Sequence, residues 1–351
     1  MESELYMKAI LCDGHESIVI GDIEESKPKK HEIIVEPLYG SICGSDIAIA
    51  QFHGKSYPGV QPSKEKPVIL GHEWSGMSGD QLVSSGCNMP CLAQTIYPPC
   101  PNCSMGRDDQ CFNRGRIGFE FPGAFREKMP FPEVQVYKVP DGLSAKDASQ
   151  TEPASVSISA VSMLGEVDGE KDVLIYGTGA IGLYALQYAK IMGAKSIFAI
   201  DIADFRLDLA KKLGADRVIN PKKEDPVQVI LDETDGRGVG VTLECTGYPP
   251  VFNQALKATT RMGTVVIVSI YGAELKIEQP FKDMTDRGLI IKNARLSPGN
   301  AVRKAISCLA DKSIKSVITH EFKMEEAKKA FEVASNPAEN NSIKVVIKIG
   351  Q

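Results

Sequence analysis

The chain has 351 residues, a formal net charge of −5, and 43% hydrophobic residues. That length exceeds one small domain and predicts two, and the mildly acidic balance excludes an electrostatic partnership with nucleic acid or an anionic membrane. No apolar run approaches the ~20 residues that span a bilayer, and the charged opening MESELYMKAI lacks a secretory apolar segment, so a cytoplasmic protein is expected.

Up to about residue 150 the chain is rich in Gly, Pro and short apolar runs, which predicts a mostly β domain with long loops. Residues 31–40 (HEIIVEPLYG) form a strand-like β-branched core bounded by turn formers. Two glycine-flanked turns follow, GSICGSD with Cys43 and PVILGHEW with His72. They put a soft thiolate and an imidazole on exposed loops, a pair that suits zinc. A catalytic zinc needs three protein ligands and one open position. Glu152, in Thr151-Glu152-Pro153, is the best third donor, beside Glu73. Its competing role is that of a helix N-terminal acid stabilised by the helix dipole. Five of the nine cysteines lie between Cys87 and Cys111. An odd count in an unexported chain argues against a disulfide framework, and crowded thiols point to metal.

Near residue 155 the character changes. Residues 172–177 (DVLIYG) are a short apolar run of the kind buried on both faces of a sheet. Helical spacing follows over 178–194, then a second strand at 196–201 and a second helix at 205–215. VTLECTG and GTVVIVSIYG continue the rhythm as two more strands. Alternation of strand and helix predicts a parallel, doubly wound sheet. The tail from about residue 295 ends in a helix, MEEAKKAFEVA, and a strand, IKVVIKIG.

Gly177, Gly179 and Gly182 spell G-x-G-x-x-G between the first buried strand and its helix. Gly177 makes the tight turn, Gly179 lets a pyrophosphate approach the backbone, and Gly182 lets helix pack closely on strand. The helix N-terminus, with Ala180 and Ile181, supplies free N–H groups and the positive dipole end. Asp201 ends the second strand, 24 positions after Gly177. A carboxylate there accepts the ribose hydroxyls of NAD and repels the 2′-phosphate of NADP.

GSICGSD, GHE, Glu152-Pro153, YGTGAIG and the strand-end Asp201 together make the chain resemble the zinc-containing medium-chain alcohol dehydrogenases, most closely the polyol (sorbitol-like) branch. The resemblance covers nearly the whole length, including the SVITHEFKMEEAKKAFE tail. It implies an α/β protein with a GroES-like, mostly β catalytic domain (1–154 and 295–351) and an NAD-binding Rossmann domain (155–294). It implies a catalytic zinc held by Cys43, His72 and a carboxylate, with Glu73 and Glu152 matching the branch's two carboxylates. Ser45 would begin a proton relay, Arg295 would face the substrate, and Arg206 would join the NAD contacts. The implied reaction is hydride transfer between NAD and a secondary alcohol of polyol, polyol-phosphate or aminocyclitol type, by a homodimer or homotetramer. Two rivals are a zinc-free reductase of the same superfamily and a nucleotide-binding protein that has lost catalysis.

The sequence departs from the family after Trp74. In the family's second zinc lobe, spaced C-x2-C-x2-C-x7-C, Cys100, Cys103 and Cys111 match the last three positions and Tyr97 stands at the first. With residues 92–96 read as a strand, Cys91 falls roughly 20 Å from Tyr97. Asp108 or Asp109 is then the more reachable fourth donor to a structural zinc. The alternative is a metal-free loop with three reduced thiols.

Overall fold

In the computed structural model the described residues are 6–13, 18–51, 60–294 and 296–350; Arg295 lies outside them. The chain divides into two compact units, one of Met1–Ser155, Leu296–Lys312 and Ser316–Gln351, the other of Val156–Arg295 and Ser313–Lys315.

The first unit is built on a seven-stranded sheet. Its strands run in the order Tyr137–Lys138, Gln81–Ser84, Glu73–Ser78, Glu32–Ser41, Lys344–Lys348, Ile318–Lys323, with Met129–Pro132 paired to the first half of Glu32–Ser41. All neighbours are antiparallel except the last pair of that order, which is parallel. Register decides what meets at one corner. Ser41 stands opposite Glu73 on one side and Val346 on the other. The ends of three strands therefore converge, and Glu73 meets Lys344 across 271 positions of sequence. Ile49, Leu70, Phe125 and Ile347 are fully buried in the adjoining core, where Phe125 packs edge-on against Phe331. Gly71 has φ +94°, and a Cβ there would lie 2.4 Å from the Phe125 ring. Only glycine lets the chain turn against that ring just before His72.

The second unit holds a six-stranded parallel sheet in the order Arg217–Ile219, Ser196–Ile200, Asp172–Tyr176, Val239–Glu244, Thr259–Ile267, Ile290–Asn293. Val173, Leu174 and Ile175 have no exposed surface, as their continuous apolar run requires. Strand order reverses between Asp172–Tyr176 and Val239–Glu244. In doubly wound sheets the carboxyl ends of the strands at such a point form the ligand crevice. A mostly β unit with a doubly wound parallel sheet is the fold class that the sequence predicts. No helix among the described residues is long and apolar enough to cross a membrane.

Candidate active site

Cys43 caps the helix Gly44–Ala50, and His72 follows the Gly71 turn. One buried carboxylate ties the two together. Asp46 Oδ2 accepts the Cys43 N–H at 2.9 Å, and Oδ1 accepts the Gly71 N–H at 3.1 Å. Oδ1 also faces His72 Nδ1 at 3.5 Å. This orientation leaves Nε2 as the nitrogen free to bind a metal. Burial opposes a charge on His72, but the Asp46 carboxylate and the Cys43 thiolate outweigh it and hold the imidazole well above its ordinary range.

The ligand atoms of Cys43, His72 and Glu73 all lie within 4.8 Å of one another. The sequence places both turns on exposed loops, whereas His72 is buried and Cys43 half-buried. The segment 118–123 covers His72: Phe119 packs on its ring, and Gly123 runs so close to Leu70 that a Cβ would sit 2.0 Å from its carbonyl oxygen. Glu73 is engaged as well: Lys344 Nζ lies 2.7 and 2.5 Å from its two oxygens and donates to the Ile42 carbonyl at 3.3 Å. Glu152 stands in the first turn of the helix Thr151–Ile158, outside the trio. It is buried, and burial pushes its carboxyl up to about 7, with the His72 charge opposing and the Glu73 charge adding. Ser45 Oγ is buried without a hydrogen-bond partner among the described residues.

Three neighbours were invisible in the sequence. The Phe119 ring packs against His72 with centroids 5.0 Å apart. The Arg116 guanidinium lies 4.1 Å over the Phe119 ring and reaches Glu120 at 3.1 and 2.5 Å. Cys87 is a buried thiol that burial pushes up to about 12, so it stays neutral.

The donor set fits zinc. A thiolate, an imidazole with a buried carboxylate 3.5 Å from its Nδ1, and a further carboxylate are the ligand types of catalytic sites with an open fourth position.

The second thiol cluster corrects the sequence-based expectation. Cys91, Cys100, Cys103 and Cys111 converge with all sulfurs within 4.8 Å of one another, so Cys91 completes the set. Asp109 is turned away into a two-pronged pair with Arg107 at 2.9 Å. Residues 91–95 form a turn rather than a strand. The Ile96 N–H returns to the Cys91 carbonyl at 2.9 Å, and Thr95 takes φ 56°. Tyr97 is 71% exposed and holds no ligand position. Cys91 Sγ lies 3.5 Å from Cys111 Sγ, and Cys100 Sγ lies 3.9 Å from it. Those separations exclude disulfides, whose sulfurs are ~2.05 Å apart. They bracket the ~3.8 Å edge of a tetrahedron with ~2.3 Å metal–sulfur bonds. Backbone N–H groups of Cys103 and Phe112 pull Cys100 down to about 6, and those of Cys100 and the Asn113 amide lower Cys91, whereas burial raises Cys103 and Cys111.

In the second unit the three glycines differ in what their local geometry requires. Gly177 has φ 88°. Gly179 caps the helix Ala180–Ile191, and a Cβ there would meet nothing within 4 Å. A Cβ on Gly182 would fall 1.9 Å from the Gly177 carbonyl oxygen. The Ile181 carbonyl accepts Ser157 Oγ at 2.9 Å, which anchors the first turn. Asp201 Oδ2 accepts the Thr178 N–H at 2.8 Å and Oδ1 the Ala203 N–H at 3.0 Å, and Arg206 lies 3.7 Å away. Oδ2 also accepts the Thr178 hydroxyl at 3.2 Å, so Oδ1 is the oxygen that keeps a lone pair for a further donor. Sequence reasoning missed Glu244. This buried carboxylate accepts the N–H groups of Thr246 and Gly247, at 2.7 and 3.2 Å, and the hydroxyls of Thr246 and Ser269. It ties together the turns after two strands. Ile202, Tyr248 and Ile270 each stand just beyond a strand's carboxyl end and are more than half exposed, a surface suited to flat rings.

Comparison with known proteins places these features in a family. The family model described as zinc-binding dehydrogenase matches residues 180–311, and that of the alcohol dehydrogenase GroES-like domain matches residues 29–141. L-threonine 3-dehydrogenase of Pyrococcus horikoshii is 32% identical over 262 residues, covering 73% of this chain and 74% of the relative. D-arabitol-phosphate dehydrogenase of Enterococcus avium is 28% identical over 347 residues, covering 95% and 94%. The crystal structure of galactitol-1-phosphate dehydrogenase from Escherichia coli superposes with a TM-score of 0.84 at 25% identity, over 97% of this chain and 100% of that one.

Proposed function

Because the chain belongs to the zinc-binding alcohol dehydrogenases, we propose that it transfers a hydride between NAD and a secondary alcohol of the polyol, polyol-phosphate or aminocyclitol type. The observation that carries this reading is the convergence of Cys43, His72 and Glu73 on one buried corner, with an unengaged Ser45 hydroxyl in the same helix cap.

Cys43 and His72 would hold zinc together with a carboxylate from Glu73 or Glu152. Bound zinc supplies Lewis acidity toward the alcohol oxygen, and bound NAD supplies the hydride acceptor. The chain's own groups do the rest. Asp46 ties both ligand turns together and would orient the His72 ring. Ser45 Oγ, with both lone pairs free, accepts the substrate's hydroxyl proton and passes it outward. Lys344 neutralises Glu73, so that three acidic groups (Asp46, Glu73 and Glu152) can share one dry corner. The Gly177–Gly182 turn would receive the pyrophosphate on free N–H groups, and Asp201 would take the adenosine ribose. Cys100, Cys103 and Cys111, joined by Cys91, would hold a structural zinc that staples the loop 91–111.

The test is a spectrophotometric screen of the purified protein with NAD across polyols, polyol phosphates and amino alcohols. Zinc-dependent NAD reduction by at least one secondary alcohol supports the proposal. No turnover across the panel, or turnover unaffected by zinc removal, overturns it.

A further inference from the structure

One side chain of the first unit is at odds with its surroundings. Arg126 is 6% exposed, and its Nε has no hydrogen-bond partner among the described residues. No ion pair or side-chain hydrogen bond joins its guanidinium to another described residue. Burial alone lowers its pKa to about 10, with no charge partner raising it. Taking a guanidinium out of water without a counter-charge is strongly unfavourable. Glu127, its chain neighbour, and Glu32, at the same pocket, each accept a backbone N–H, from Lys8 at 2.7 Å and from Lys29 at 2.8 Å.

Arg126 lines a pocket of ≈ 330 Å³. Its walls include Met89, Ile117, Phe121 and Phe131, and Lys29 and His31 stand at it against the single carboxylate of Glu32. At ~30 Å³ per water, the volume admits roughly ten water-sized groups. None of the proposed metal or dinucleotide residues lines it.

We propose that this pocket binds an organic carboxylate with an apolar body, the carboxylate on Arg126 and the body against Phe121 and Phe131. The guanidinium fork matches a carboxylate with two parallel hydrogen bonds. Ser26, Gln94 and Thr95 make part of the lining polar, and the apolar part beside Phe121 offers a place for an aromatic or branched body that a bare inorganic anion would leave to water.

The protein carries its own reporter. Trp74 is the sole tryptophan, and its ring meets that of Phe131 edge-on at 5.1 Å. The zinc-loaded protein is titrated with benzoate and 3-phenylpropionate, against benzamide as neutral counterpart and inorganic phosphate as bare anion. Calorimetry and Trp74 emission are the readouts. Saturable carboxylate binding is expected, at least ten-fold weaker for benzamide, for phosphate and in Arg126→Met, partly retained in Arg126→Lys and intact in Cys43→Ser. Dehydrogenase turnover of Arg126→Met without added anion should match that of the unmodified protein. Absence of saturable binding, equal binding of benzamide or phosphate, unchanged affinity in Arg126→Met, or loss of binding in Cys43→Ser overturns the assignment. Should Arg126→Met fail to fold, the comparison of benzoate with benzamide on the unmodified protein decides.

Discussion

Replacing Asp46 by Asn keeps the shape of the side chain and removes its charge. Asp46 has no exposed surface and accepts two backbone N–H groups, from Cys43 and from Gly71, which lie on separate turns. Asn offers one carbonyl oxygen for the two, so one N–H must face an NH2 group. Losing a charge-assisted hydrogen bond removes about 1.5–3 kcal/mol, and a stranded buried donor adds to that. A stability loss of about 3 kcal/mol in urea unfolding is therefore expected. Stability alone does not distinguish a cap from a metal-positioning residue, because Cys43 also starts a helix. The discriminating quantity is zinc affinity. The Oδ1 atom lies 3.5 Å from His72 Nδ1, and outer-shell partners of a metal-binding imidazole change metal affinity 10–100-fold. Competition against a chromophoric chelator should show zinc held at least about ten-fold more weakly in Asp46→Asn. Unchanged zinc affinity beside reduced stability would show that Asp46 is only a helix cap.

Cys91→Ser should lower bound zinc from about two ions per chain to about one and lower the melting temperature, while turnover per filled catalytic site persists. Asp201→Ser should weaken the preference for NAD over NADP, read from the ratio of kcat/KM values, by removing the like-charge repulsion of a 2′-phosphate; NADP preference in the unmodified protein would contradict that role. Glu152→Gln should depress turnover with NAD affinity unchanged. In metal-stripped protein the same variant reports the desolvation of Glu152, whose folded pKa stands above its unfolded value at about 7. The stability linked to that raised pKa is present below the unfolded value near 4.5 and is lost as pH rises toward 7. The Gln variant should therefore gain on the unmodified protein between pH 5 and 8, by up to about 3 kcal/mol in denaturant unfolding; equal pH profiles would refute the desolvated carboxylate.

The dinucleotide turn was legible in the sequence because it is local. Six consecutive residues carry its geometry, and each glycine answers a contact that a side chain would break. The alternation of strands and helices was legible for the same reason. Cys43 and His72 could be read from their glycine-flanked turns, but the burial of His72 could not, since it comes from a loop some fifty residues farther on. Lys344 reaches Glu73 only through the register of the final strand, which no local pattern encodes. Asp46 was in view in GSICGSD, and its spacing of three from the Cys43 cap, the position at which an acid reaches back to a helix's first N–H, was the available signal. Cys91 was misjudged because Cys-Leu-Ala-Gln-Thr contains neither Gly nor Pro to announce a turn, and Thr95 makes it by adopting a left-handed conformation.

The most direct measurement is zinc content paired with NAD reduction in the unmodified protein and in Cys43→Ser. About two zinc ions per chain are expected, falling to about one in the variant, with turnover nearly abolished and NAD binding intact. Near-normal turnover by a Cys43→Ser protein lacking that ion would contradict zinc-dependent alcohol oxidation at this site.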